Sequence, residues 1–219
     1  MIEHHPDDAL LLDHVAGSLP AGPRVVVASH VEQCARCQAS VQLLEAAGGA
    51  LVASLQPSPL QTGALATALA AIERSAAVRP ASPPVRPASF PDLPKGASWP
   101  RALTGCPATR WRWLGPGIRW SRVTLPYDRA ANVFLLRIAA GVALPSHSHG
   151  TRELTQVLHG AFDDGRAVFA AGDFDEADDA IHHQPNVLAS GECICLASVE
   201  GKVRFDGTIA RVLGSLVGM

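Results

Sequence analysis

Five prolines, Pro83, Pro84, Pro87, Pro91 and Pro94, crowd the stretch between Pro80 and Pro100. Each fixes its own φ and offers no backbone N–H, so neither a helix nor a central strand can run through the segment. Proline spacing of this kind gives an extended, semi-rigid linker, placed here over residues 79–98. It divides the 219-residue chain into a first unit, 1–78, and a second, 99–219. The two units differ in the period of their apolar residues, so the chain is expected to be an α + β multidomain protein.

The first unit is patterned for helices. Asp7 or Asp8 can cap a helix with Leu11, Leu12 and Val15 on one face, ended by Gly17, Ser18 and Pro20. A second helical stretch opens at Pro23, which suits a first turn, and runs through Val27, Val31, Val41 and Leu44 toward Gly48 and Gly49. A third, with Leu65, Ala68, Leu69 and Ile72, keeps helical spacing and is rich in alanine. The second unit is patterned for strands. Residues 118–125, 133–138, 166–170 and 193–198 alternate or cluster apolar side chains between Gly, Pro, Asp and Asn. Many short strands at close spacing predict a sandwich or barrel. At the end, Ile209, Val212, Leu213, Leu216 and Val217 return to helical spacing, predicting a short helix packed back on the barrel.

Apolar residues make up 47% and charged residues 17%, enough to bury a core. A formal charge of −2 argues against direct nucleic-acid binding, which needs a basic surface. No apolar run has the length of a membrane span, and Met1-Ile2-Glu3-His4-His5 lacks the basic and apolar regions of a secretory signal. The expected compartment is therefore the cytoplasm, where thiols stay reduced. Cys34, Cys37, Cys106, Cys193 and Cys195 are then expected as ligands or buried thiols rather than disulfides.

Two constellations carry chemistry. The first is His30-x3-Cys34-x2-Cys37. Two thiolates and an imidazole are good zinc ligands, and the thiolates balance the charge of the ion so that the site can be buried. Residues three and four apart share a helix face, but one straight helix would separate His30 from Cys37 by about 10 Å of rise. The helix is therefore expected to bend or break near Cys34. A closed tetrahedral site needs a fourth ligand, for which His4, His5 and His14 are the candidates in this half. A redox role for the Cys-x2-Cys pair would call for a βαβ pattern, which does not surround it.

The second constellation reads Gly141-x5-His147-x-His149-x3-Glu153-x6-Gly160. Alternate residues of a strand face one side, so His147 and His149 point the same way, and Glu153 can return to them after a turn. A later ligand is offered by His182 or His183. Three imidazoles and a carboxylate suit a divalent metal, zinc, iron, manganese or nickel. The acidic loop of Asp173, Asp175, Glu176, Asp178 and Asp179 has no fixed ligand spacing and is expected to be solvated. Cys193 and Cys195 lie on one strand face and read as two buried thiols.

Each constellation resembles a known family. The first, with His4-His5-Pro6-Asp7-Asp8-Ala9-Leu10-Leu11 opening the domain, is similar over residues 1–78 to the zinc anti-sigma domain, a small helical bundle. That resemblance implies His5 as the fourth ligand beside His30, Cys34 and Cys37, and an activity of binding an alternative sigma factor. The second resembles the first motif of the cupins, a jelly-roll barrel. The second cupin motif is altered: Ala170-Ala171-Gly172-Asp173-Phe174 lacks the usual proline two residues before the glycine. In the related family the last ligand is followed by x-Pro, which implies His183, in His183-Gln184-Pro185, beside His147, His149 and Glu153. Joined through a proline linker, the pair resembles the ChrR family over nearly the whole chain. The resemblance implies a cytoplasmic anti-sigma factor that is not an enzyme. It would inhibit an extracytoplasmic-function sigma factor and release it under oxidative stress such as singlet oxygen, sensed through the cupin. Structural zinc is implied in the helical unit and a second divalent metal, foremost zinc, in the barrel. The alternative is a metal-dependent cupin dioxygenase or isomerase with a regulatory helical domain.

Overall fold

The computed structural model describes residues 1–77, 90–201 and 203–205, with the side chains of 75–77, 149 and 203–205 outside that description. Four α-helices open the chain: α1 (Asp8–Ala16), α2 (Ala21–Val31), α3 (Ala35–Ser54) and α4 (Ala64–Ala77). Asp7 caps α1, its side chain accepting from the Leu10 N–H at 2.7 Å, and Gly17 closes it at φ 72°. The helical run after Pro23 is broken as its ligand spacing requires. α2 stops at Val31 and Cys34 becomes the N-cap of α3. Gly48 and Gly49 do not end α3, which continues to Ser54. Two glycines cost about 1 kcal/mol each, which the surrounding alanine and leucine tolerate.

After a 3-10 turn at Arg101–Leu103 the described residues form twelve strands: β1 (Arg112–Gly115), β2 (Ile118–Leu125), β3 (Asp128–Ile138), β4 (His147–His149), β5 (Arg152–His159), β6 (Ala161–Asp163), β7 (Val168–Ala170), β8 (Phe174–Asp178), β9 (His182–His183), β10 (Asn186–Val187), β11 (Cys193–Glu200) and β12 (Val203–Phe205). They form a six-stranded sheet in the order β1-β2-β3-β11-β5-β8 and two three-stranded sheets, β10-β6-β7 and β12-β4-β9, all antiparallel. Residues 206–219, where a terminal helix was expected, lie outside the described residues, as does 79–89 of the expected linker. The remainder of that proline stretch packs on the body: Phe90 stacks on Trp99 at 5.0 Å, and Phe90, Leu93 and Trp99 lie against the main core.

The large sheet decides the architecture. Strand alternation sends Val157, Cys193, Cys195, Phe134 and Trp120 into the barrel. The alternate positions, Val123, Val133, Leu135, Leu154, Leu158, Phe174, Ile194 and Leu196, are apolar too, and they share one core with Leu10, Leu11, Val26, Val27, Cys34 and Cys37 of the helical unit. A sheet apolar on both faces must be covered on both. Helix α2 supplies that cover, packing on β3, β5 and β11. The approach is close: a Cβ on Gly22 would collide with Ser198 Oγ on β11. Among the described residues the helical unit therefore has no core of its own apart from the barrel.

Candidate metal centres

The first centre forms where α2 ends, α3 begins and the N-terminal segment crosses them. His5 Nδ1 lies 3.3 Å from Cys34 Sγ and 3.5 Å from Cys37 Sγ, and His30 Nε2 lies 3.3 Å from Cys37 Sγ. All four ligand atoms fall within 4.8 Å of one another. Zinc–ligand bonds of usual length, set tetrahedrally, would hold sulfur and nitrogen about 3.6 Å apart, so the set fits that ion. His30, Cys34 and Cys37 are buried and His5 is half-buried. His4, the neighbouring candidate, instead packs on Phe169 at 4.6 Å, and His14 is not in the group.

The protonation chemistry fits as well. Burial pushes the His30 imidazole down to about 4, against the opposing pull of its acceptor Gln156, so the ring is neutral with a lone pair to give. Burial, then the neighbouring Cys34, push the Cys37 thiol up to about 12. A thiolate there needs a cation beside it, and a bound metal would take the place of the protons.

The second centre lies inside the barrel. His147 on β4 pairs in register with His183 on β9, and their Nε2 atoms stand 3.2 Å apart. Glu153 Oε2, at the start of β5, is 3.8 Å from His147 Nε2. His147 Nδ1 donates to the Pro145 carbonyl at 2.8 Å, which leaves Nε2 as a lone pair facing the centre. His183 turns its other nitrogen, Nδ1, toward Asp164 Oδ2 at 3.5 Å. Two imidazole nitrogens converging at 3.2 Å with a carboxylate beside them suit a divalent cation. His149 is placed on β4, and its side chain is among those not described. His182 is exposed and lies 3.3 Å from Ser146 Oγ, whereas His183 is 6% exposed. The cavity against these residues measures about 30 Å³ and is also lined by Thr155, Asp175, Phe162 and Cys195.

Two parts of this centre were not visible in the spacing. Asp164, buried in the turn after β6, groups with Asp175 and His183, and Arg166 spans both carboxylates. No interval in the sequence ties Asp164 to a histidine nineteen positions on; only the turn formed by Asp163, Asp164 and Gly165 hints at a fixed carboxylate. The expectation of a solvated acidic loop fails at Asp173 and Asp175, which are 2% and 6% exposed. Asp173 accepts from the backbone N–H groups of Glu3, His4 and Ala170, while Asp175 points into the barrel, where burial raises it to about 6 despite Arg166. Cys193 and Cys195 are free, buried and 3.6 Å apart.

Fold and sites together define a cupin whose large sheet carries a helical His/Cys unit on its outer face. Residues 100–201 match the family described as the ChrR cupin-like domain. Over 216 residues the chain is 37% identical to the anti-sigma-E factor ChrR of Cereibacter sphaeroides, covering 97% of this chain and 96% of that one. It is similar to the crystal structure of Rhodobacter sphaeroides SigE in complex with the anti-sigma ChrR, with a TM-score of 0.72 at 34% identity, covering 91% of this chain and all of that one. An RmlC-like cupin from Ralstonia eutropha gives a TM-score of 0.40 at 20% identity over 47% of this chain and 68% of that one. The chain belongs to the ChrR family of anti-sigma factors. Among the described residues no helix is long and apolar enough to cross a membrane.

Proposed function

We propose that this protein is a cytoplasmic anti-sigma factor that binds and inhibits an extracytoplasmic-function sigma factor. On this reading His5, His30, Cys34 and Cys37 hold a structural zinc, and His147, His149, Glu153 and His183 hold a second divalent metal, foremost zinc. The helical unit, 1–78, does the binding, and the cupin, 99–219, receives the oxidative signal. The observation that carries the reading is an uncovered apolar surface in a family member of this kind. Leu43, Leu51, Val52 and Leu55 on and just after α3, and Leu65, Leu69 and Ile72 on α4, are each more than half exposed. Large apolar side chains on consecutive helices are the material of a protein interface. A complex of a sigma factor with the similar ChrR supports the same partner class.

The barrel favours sensing over turnover. Its cavity of about 30 Å³ has room for about one water, against several hundred Å³ for a substrate pocket. Co-expression with an extracytoplasmic-function sigma factor from the same genome should yield a stoichiometric complex. Cys34→Ser with Cys37→Ser should abolish it, and His147→Ala should keep it while blocking its release under photosensitised singlet oxygen. An intact complex in the double cysteine variant would remove the structural-zinc argument. Absence of any sigma factor complex in the unaltered chain would remove the function itself.

A further inference from the structure

We propose that the barrel is a built part of the thiolate-rich metal centre, with Gln156 on β5 as the positioning residue for His30. His30 Nδ1 and Gln156 Oε1 are 3.0 Å apart, and both residues are fully buried. The direction of this bond is fixed from the far side: Gln156 Nε2 donates to the Val157 carbonyl at 3.1 Å. That leaves the amide oxygen facing His30, so Nδ1 must carry the proton and donate. Nε2 is then the lone pair, and it is Nε2 that faces Cys37 Sγ. Phe174 of β8 packs edge-on against the same ring at 5.6 Å, limiting its rotation.

A second ligand is held from the barrel by a different device. Asp173, just before β8, accepts the N–H groups of Glu3 at 2.7 Å and His4 at 3.1 Å, and the Phe174 N–H donates to the His4 carbonyl at 3.1 Å. The N-terminal segment is thereby pinned immediately ahead of His5. Two of the four candidate ligands are thus set by β5 and the start of β8, while Cys34 and Cys37 are set by the α2–α3 break. A ligand imidazole that donates its second nitrogen to a fixed acceptor binds metal more tightly, by about 10–100-fold when such acceptors are tested by mutation.

This inference rests on the reading of His5, His30, Cys34 and Cys37 as a metal site, and cobalt(II) titration of the full metal-free chain separates the two. Thiolate-to-cobalt absorption reports this centre alone, since the barrel centre has no sulfur among its proposed ligands. Gln156→Leu should weaken the thiolate-bound cobalt about 10–100-fold, with the barrel cobalt unchanged. Gln156→Glu keeps an acceptor at the same reach and should restore most of the loss. Asp173→Asn, acting through His5, should weaken the same signal by a smaller factor. A folded Gln156→Leu that binds cobalt within twofold of the unaltered chain would overturn the inference alone, as would a Gln156→Glu as weak as the leucine variant. No thiolate–cobalt absorption in the unaltered chain would overturn it together with the metal site.

Discussion

The two centres lie on opposite faces of one strand yet are built in opposite ways. Glu153 points from β5 into the barrel and Gln156, three residues later, points out toward His30. The outer centre gathers its groups from the N-terminal segment, two helices and the sheet, so it exists only when separate parts of the chain meet. The inner centre gathers His147, Glu153 and His183 from neighbouring strands of one barrel. The outer one is therefore a joint and the inner one a socket. Loss of metal should loosen the first architecture and leave the second standing.

The largest expected effect breaks the joint directly. Cys34→Ser with Cys37→Ser should lose one equivalent of metal and lower Tm by about 10 °C or more, corresponding to about 4 kcal/mol in a chain of this size. Metal analysis and calorimetry check both. Gly22→Val attacks the same joint without touching a ligand. Its side chain would meet Ser198 and Val133, costing about 2–3 kcal/mol and raising proteolysis within residues 1–31.

Asp173→Ala removes the clamp on residues 3 and 4 and should cost about 2 kcal/mol in urea unfolding. This carboxylate also gives a pH signature. Burial alone would raise it, but the Ala170, Glu3 and His4 N–H groups together outweigh burial and hold it below the usual carboxylate range. A depressed folded-state pKa stabilises above the unfolded value of about 4 and is lost as pH falls through the folded value. Asp173→Asn should accordingly lose stability less steeply than the unaltered chain below about pH 4.

The smallest effect belongs to the socket. Asp164→Asn keeps the shape of the turn but weakens the hold on His183 Nδ1. It should reduce barrel metal affinity about 10-fold, with no change in the thiolate–cobalt signal of the outer centre. If that signal moved as far as the barrel affinity, joint and socket would be one unit rather than two.

Much of this was legible in the sequence, for reasons tied to particular residues. The intervals His30-x3-Cys34-x2-Cys37 and His147-x-His149-x3-Glu153 are local, and local spacing maps directly onto helix and strand geometry. The break before α3 followed from rise per residue alone. Asp164 and Gln156 escaped because their partners lie far along the chain: Gln156 meets His30 across 126 positions. One trace of Gln156 was present, a lone amide between Leu154 and Leu158 at alternating positions of an apolar strand. That strand and its neighbour β11 held the clue to the docked helices. Leu154, Leu158, Ile194 and Leu196 make the outward positions as apolar as the inward ones, which a water-facing sheet would not be. Proline spacing drew attention to separation instead.

The sheet without a wet side also limits how this chain can be taken apart. Cutting between residues 78 and 99 and discarding the first piece would leave a barrel whose outer wall of leucine, isoleucine and valine had lost its covering helix. Such a wall adheres to whatever apolar surface it meets next. A fragment chosen by the proline run should therefore self-associate, and a well-behaved barrel would have to keep α2. The unit of inheritance here is larger than the unit of motif: the helix that frames the thiolate ligands is also the roof of the cupin.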